Sequence, residues 1–338
     1  MKNILVVKLS AIGDVIHALP VSYAIKETFP DVKLTWVVEP PSYDLLTMNP
    51  CVDEIIVFHK KEFKSIRGFL HNIRPFRRTL RLENYDAVLD LQGLFKSAAI
   101  AHVAKAPVKL GMCNMRELSS RVSKPVVGPN AYGHIVERYL DVARALGCGV
   151  NRVVFPVEVP QEAVESAVGI LANAGVQMEY PYVVFVIGAN WPNKVWPVQH
   201  FAELGDWFLQ NQVAPVIVGS GAADMKRALD VSGMMKVPPV NLVDKTNLKE
   251  LAHIIKGARL VIGGDTGPVH LASGMGVRTI MLMGPTDAKR NGPYGQLQNA
   301  IEVDRPCRYC WKRACMKDAD CLERITVQHV EQKIMQMS

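Results

Sequence analysis

The 338 residues are 49% hydrophobic and 21% charged, the profile of a globular chain long enough to bury two cores. No run of about 18 uncharged apolar residues occurs, which argues against a spanning helix; the opening MKNILVVKLS, broken by Lys8 and Asp14 with no small-residue cleavage site behind it, is unlike a secretory leader, so a cytoplasmic location is expected. The net charge of +7 is concentrated in residues 60–81, which hold eight basic side chains and one acidic one, while the rest of the chain is balanced; a charge gathered in one place points to an anionic partner.

In chain order, NILVVKL (3–9) reads as a strand that empties through LSAIGDVIH into a helix. A nucleotide-binding turn normally carries several glycines so that the backbone can close on a pyrophosphate. Here Gly13 stands alone and is followed by a carboxylate, Asp14. KLTWVV (33–38), EIIVF (54–58) and AVLDL (87–91) read as further strands with helices between them. Within the basic stretch, Phe63, Ile66, Leu70 and Ile73 recur at helical spacing, giving a basic helix with one greasy face. It suits a helix docked on its own domain, a membrane-surface helix or a clamp for an acidic substrate.

A second series follows the helical QEAVESAVGILANAG (161–175), with strands at YVVFVIG (182–188), PVIVGS (215–220), RLVIGG (259–264) and TIMLMG (279–284). Two consecutive αβ series predict two doubly wound, Rossmann-like α/β domains, residues 1–158 and 159–338, facing a central cleft lined by strand carboxyl ends. The closing ITVQHVEQKIMQM reads as a helix.

The second half carries phosphate chemistry. In GGDTGPVHLASGMG (263–276) a strand opens into a helix, with Gly267 at a tight turn and Pro268 suited to the first helical position. The N–H groups of Thr266 and Gly267, with the positive end of the helix dipole, form an anion site to which His270 adds a donor. The alternative is that Asp265 and Thr266 merely cap the helix. The loop ANWPNKVWP (189–197) offers one cation, Lys194, suited to a diphosphate or else solvated on a turn. In VGSGAAD (218–224), Asp224 is placed to accept hydrogen bonds from a ribose.

Together these residues resemble glycosyltransferase family 9, the ADP-heptose:lipopolysaccharide heptosyltransferases, over nearly the whole chain. The pattern K-x-S-x-x-G-D-V-x-H-x-L-P is met by Lys8, Ser10, Gly13, Asp14, Val15, His17, Leu19 and Pro20, and YDAVLDLQGLFKSA (85–98), DTGPVHLA (265–272) and MGPTD (283–287) are similar to further family segments. The resemblance implies a GT-B architecture, with the acceptor on the N-terminal domain, ADP-heptose on the C-terminal one, and inversion at the anomeric carbon. It implies donor contacts for Lys194, Asp265, Thr266, Gly267 and His270, while Asp224 stands where relatives often have glutamate. With the nucleotide assigned to the second domain, Asp14 is free to act as general base, a role typically worth about 10²–10⁴-fold. Ser10 and Gly13 would border the acceptor. Lys60, Lys61, Lys64 and Arg116 would meet its anionic groups, namely the Kdo carboxylates and phosphates of lipid A or of the heptosylated core. KLSAIGDVIHALP and LQGLFKSA look closer to the first-heptose enzymes than to the second-heptose ones. The implied location is peripheral, on the cytoplasmic face of the inner membrane, with no nucleic acid as partner and no cofactor required for catalysis.

Cys307, Cys310, Cys315 and Cys321 follow the spacing C-x2-C-x4-C-x5-C, tight enough for four thiolates to reach one structural zinc or iron ion, or else reduced packing thiols. This Cys-rich segment, 307–321, departs from the first-heptose pattern. Two other classes compete. An NAD(P)-dependent Rossmann enzyme lacks its G-x-G-x-x-G here, and a non-enzymatic anion- or membrane-binding module needs no second αβ domain.

Overall fold

The computed structural model describes residues 1–338 except Lys64, Met178, residues 316–320 and Ser338. The chain divides into two units, Met1–Glu158 and Val159–Ser338. The first runs β1 (Asn3–Val7), α1 (Ile12–Thr28), β2 (Lys33–Val38), α2 (Tyr43–Thr47), β3 (Glu54–Val57), α3 (Ile66–Leu80), β4 (Ala87–Asp90), α4 (Phe95–Ala104), β5 (Val108–Gly111), β6 (Lys124–Pro125) and α5 (Ile135–Ala145). The second runs α6 (Gln161–Asn173), β7 (Tyr182–Val186), α7 (Val198–Gln210), β8 (Ala214–Val218), α8 (Ala222–Met234), β9 (Val240–Asn241), α9 (Leu248–Gly257), β10 (Leu260–Gly264), α10 (Gly267–Gly274), β11 (Thr279–Met283), α11 (Ala288–Asn291), β12 (Ala300–Glu302) and α12 (Val327–Gln336).

Both sheets are parallel, in the orders β3-β2-β1-β4-β5-β6 and β12-β11-β10-β7-β8-β9. Read from the first strand of each unit, the two orders are the same. The chain winds outward one way, returns to the centre, and winds out the other way. The central strands are apolar on both faces because helices cover both: Ile4, Leu5, Val6 and Val7 are fully buried, as are Val183, Val184 and Phe185. Each such side chain contributes about 1.5–3 kcal/mol through burial.

The eight strands expected from periodicity are present, and among the described residues four short ones join them. β5 is only partly buried, while β6 and β9 are two residues long. Edge strands this short have no room for an apolar run, so nothing in their sequence marks them. The C-terminal helix α12 packs Val327 and Val330 into the core of the second unit, beside Trp196 and Phe201.

The basic helix is rotated from its expected setting. Phe63 lies on a separate 3-10 turn, Lys60–Phe63, so its phase does not carry into α3. Phe63 and Phe76 stack on Phe58 at centroid distances of 4.9 and 5.3 Å, and Leu80 is buried. Ile66 and Leu70, expected on the same face, point to solvent with 83% and 66% of their surface exposed.

Candidate active site

In a doubly wound sheet the crevice lies at the strand carboxyl ends, where the winding reverses. In the first unit that point falls between β1 and β4, and in the second between β7 and β10.

Beyond β1, the N–H groups of Leu9 and Ser10 donate to Gln92 Oε1 at 3.0 and 3.1 Å, tying this turn to the one after β4. The turn opens α1, whose N-cap, Ala11, has no side chain to offer the free N–H groups. Asp14 supplies the carboxylate instead. It sits in the first turn, half-buried, and its Oδ2 accepts from Ala11 N–H at 3.3 Å. Beneath it Lys8 is 2% exposed, with Nζ donating to the Tyr139 hydroxyl at 2.8 Å. Burial opposes the charge of Lys8, yet Tyr139, Asp14 and Asp90 together hold its ammonium above the ordinary lysine range. Asp90, at the end of β4, is wholly buried and accepts from the N–H groups of Gln92 and Gly93 and from Ser97 Oγ. Burial nonetheless pushes its carboxyl up.

The expected acceptor residues are spread along this rim. Ser10 and Gly13 flank the α1 turn and are half-buried. The main chain of Arg116 is held at the β4–α4 turn by its N–H bond to Gly93 O at 2.9 Å, leaving its side chain exposed. Lys60 and Lys61 are exposed just past β3, two strands from β1. Lys64 lies outside the described residues.

In the second unit the donor candidates converge on one carboxylate. Asp265, 5% exposed, accepts from Lys194 Nζ at 2.6 Å and Thr286 Oγ1 at 2.7 Å on Oδ2, while His270 Nε2 lies 2.7 Å from Oδ1. Burial would raise this carboxyl, but His270 and Lys194 outweigh it and hold it far below the usual carboxylate range. Asp265 is therefore an internal hub, not a helix cap. Thr266 occupies the N-cap position of α10 without capping it through its side chain; its Oγ1 is buried and unpartnered. The helix opens at Gly267, with Pro268 second. Its first N–H groups have no partner within the helix.

Lys194 is not a solvated turn residue. Its side chain is 13% exposed, and Nζ lies 4.5 Å from the centroid of the Trp191 ring. Its carbonyl oxygen sits 2.0 Å from where a Cβ on Gly264 would stand, so only glycine at the end of β10 lets this loop close. Asn193, 1% exposed, anchors the same loop by donating from Nδ2 to Lys312 O at 2.7 Å. Asp224 lies in the first turn of α8, its carboxylate against Gly188 and Gly219 at the ends of β7 and β8. It accepts from Ser220 N–H and pairs with Arg227, so a ribose would compete for its oxygens.

Sequence reasoning did not single out Thr286, Gly264, Trp191, Tyr139 or Asp90. Thr286, Gly264, Trp191 and Asp90 lie inside the motifs MGPTD, GGDTGPVHLASGMG, ANWPNKVWP and YDAVLDLQGLFKSA, so their positions were within reach, but their contacts, and Tyr139 altogether, needed the fold. The sequence leaves the four cysteines of the tail open between a structural ion site and packing thiols. All are free thiols, and among the described residues no group of three or more His, Cys, Asp or Glu is placed to hold an ion. They are neighbours all the same: burial first, then Cys315, Cys310 and Cys307, push up the Cys321 thiol.

The sequence matches the family model described as glycosyltransferase family 9 (heptosyltransferase) over residues 73–319. It is 32% identical to lipopolysaccharide heptosyltransferase 1 of Pseudomonas aeruginosa, across 93% of this chain and 87% of that one. Among solved structures, it superposes on a family 9 glycosyltransferase from Veillonella parvula with a TM-score of 0.87 at 25% identity, covering 99% of this chain and 97% of that one. E. coli heptosyltransferase WaaC with ADP-2-deoxy-2-fluoro heptose gives a TM-score of 0.75 at 26% identity, covering 99% and 100%. The paired parallel sheets are thus the GT-B architecture, and the chain is a glycosyltransferase that belongs to family 9, the heptosyltransferases.

Proposed function

We propose that this enzyme transfers L-glycero-D-manno-heptose from ADP-heptose to the Kdo inner core of lipopolysaccharide, with inversion and with Asp14 as general base. The observation that carries the reading is the donor hub: Lys194, His270 and Thr286 gathered on Asp265 at the mouth of α10, in a chain similar to a relative crystallised with an ADP-heptose analogue. An ammonium has three N–H donors, so Lys194 can hold Asp265 and still donate to a diphosphate oxygen. The α10 N-terminus, with Thr266 and Gly267, faces the same charge.

In the reaction the ionised Asp14 takes the proton of an acceptor hydroxyl as its oxygen attacks the anomeric carbon. The bond from that carbon to the ADP oxygen breaks, and its electron pair leaves with ADP. Lys194 and the α10 N–H groups spread the charge that develops there. ADP is a stable anion, so the scheme requires no acid catalyst and no cofactor. The tail cysteines enter no step of this scheme. Ser10 and Gly13 would border the attacking sugar, and Lys60, Lys61 and Arg116 would meet Kdo carboxylates or lipid A phosphates. Such an acceptor places the enzyme at the cytoplasmic face of the inner membrane.

The test is incubation with ADP-heptose and either Kdo₂-lipid A or its once-heptosylated product, read by mass spectrometry. One added heptose on Kdo₂-lipid A is expected; addition only to the heptosylated product would move the chain to a second-heptose role. Asp14→Asn should lower turnover at least about 10²-fold while leaving ADP affinity intact. A variant that keeps more than about a tenth of wild-type turnover is incompatible with the base assignment.

A further inference from the structure

The acceptor reading uses Lys60 and Lys61 but leaves most of the basic charge unexplained. Those two lysines follow β3 at its carboxyl end, where ligands bind in such sheets. In a parallel crossover the helix runs back along the sheet. The carboxyl end of α3 therefore lies at the strands' amino ends, about 18 Å from Ile66 to Arg78 along the helix. Its arginines cannot serve a sugar bound beside Asp14.

At about 100° per residue, Ile66, Leu70, Arg67, Arg74, Arg77 and Arg78 fall within one arc of about 120° on α3. Phe76 and Leu80 fall outside that arc and pack into the core. The helix holds no Asp or Glu at all. Arg74, Arg77 and Arg78 also line one open hollow with Arg81 and Leu82. A charged row alone would be an ordinary solvated surface. Two large aliphatic side chains held in water beside it, 83% and 66% exposed, are what an interfacial helix presents to a bilayer.

We propose that this face of α3 docks on an anionic lipid surface, the helix lying in the membrane plane with Ile66 and Leu70 among the headgroups and the arginines on lipid phosphates. The proposal deepens the reading of a lipid-borne acceptor and names the surface by which the enzyme reaches it.

The test is co-sedimentation of the full chain with phosphatidylcholine vesicles, with and without phosphatidylglycerol, in the absence of any sugar substrate. Binding is expected only to the anionic vesicles and should weaken with added salt. Since each basic residue near such a surface is worth about fivefold, Arg74→Glu with Arg78→Glu should reduce partitioning at least about 30-fold. Ile66→Ser with Leu70→Ser should reduce it about tenfold or more. Equal binding to neutral vesicles, or variants that partition like the wild type, would overturn the proposal. Both variants should turn over a water-soluble, delipidated acceptor with unchanged KM; a raised KM there would assign the face to sugar recognition and overturn it as well. Because the vesicle assay contains neither donor nor acceptor, its failure and a failure of the heptose-transfer reading can be told apart.

Discussion

At Asp265 a single carboxylate gathers a lysine, a histidine and a threonine, and its burial makes each of those bonds costly to lose. Asp265→Asn keeps the shape but removes the charge, leaving the Lys194 ammonium without its counter-ion in a largely closed pocket. Breaking a buried pair in this way costs about 3 kcal/mol or more, so a lower Tm at neutral pH is expected from calorimetry. The sign with pH follows from the lowered pKa. The stabilisation is fully present above the unfolded value of about 3.9 and is lost as pH falls below it towards the folded value. The gap between wild type and Asp265→Asn should therefore hold constant from neutral pH to about pH 5 and close only in stronger acid. A gap that closed already at mildly acidic pH would point to a different group.

At the scale of elements, the loop carrying Lys194 is held from two sides. Gly264 gives it room from below, and the Cys-rich segment grips it through Lys312 O. Trp191, on the same loop, has Lys194 Nζ at 4.5 Å and the Arg313 guanidinium at 5.8 Å from its ring centroid. In the proposed donor site the tail segment thus acts by positioning this loop. Asn193→Ala should raise the donor KM about 3–10-fold, the range set by one lost hydrogen bond, with the acceptor KM unchanged. Steady-state kinetics with each substrate varied in turn decides it. A second element-scale lesson comes from α3. Counting apolar residues at helical spacing does not reveal where a helix begins, and the intervening 3-10 turn put Phe63 in a different phase from Ile66 and Leu70.

For the molecule as a whole, two units with the same strand order carry different chemistry at the same topological point. Each pairs a lysine with a carboxylate near a helix N-terminus, but α1 carries its own carboxylate, Asp14, in its first turn while α10 has none there. The proposed reading therefore assigns the nucleotide diphosphate to the second. Saturating ADP, at about a hundredfold over its Kd, should stabilise by about 2.7 kcal/mol and raise the Tm by about 5–10 °C. The rise should persist in Asp14→Asn and shrink in Lys194→Ala, measured by thermal-shift fluorimetry. Loss of the rise in Asp14→Asn would place ADP in the wrong unit.

Much of this was legible in the residues themselves. Continuous apolar runs between helical stretches predict buried parallel strands because both sheet faces are covered, and Gly13-Asp14 and DTGPVH stand at strand ends because that is where parallel sheets leave the backbone free to turn. The chain by itself thus determined the αβ alternation, the family, and the short list containing Asp14, Lys194, Asp265 and His270. It left open what those side chains touch. Whether Asp265 capped its helix or collected Lys194 and Thr286, and whether Ile66 faced the core, were decided only by tertiary structure. The physical reason is range. Periodicity and turn chemistry act over a few residues, whereas the contacts of Asp265 reach 71 residues back to Lys194 and 21 ahead to Thr286, and only packing brings those partners together.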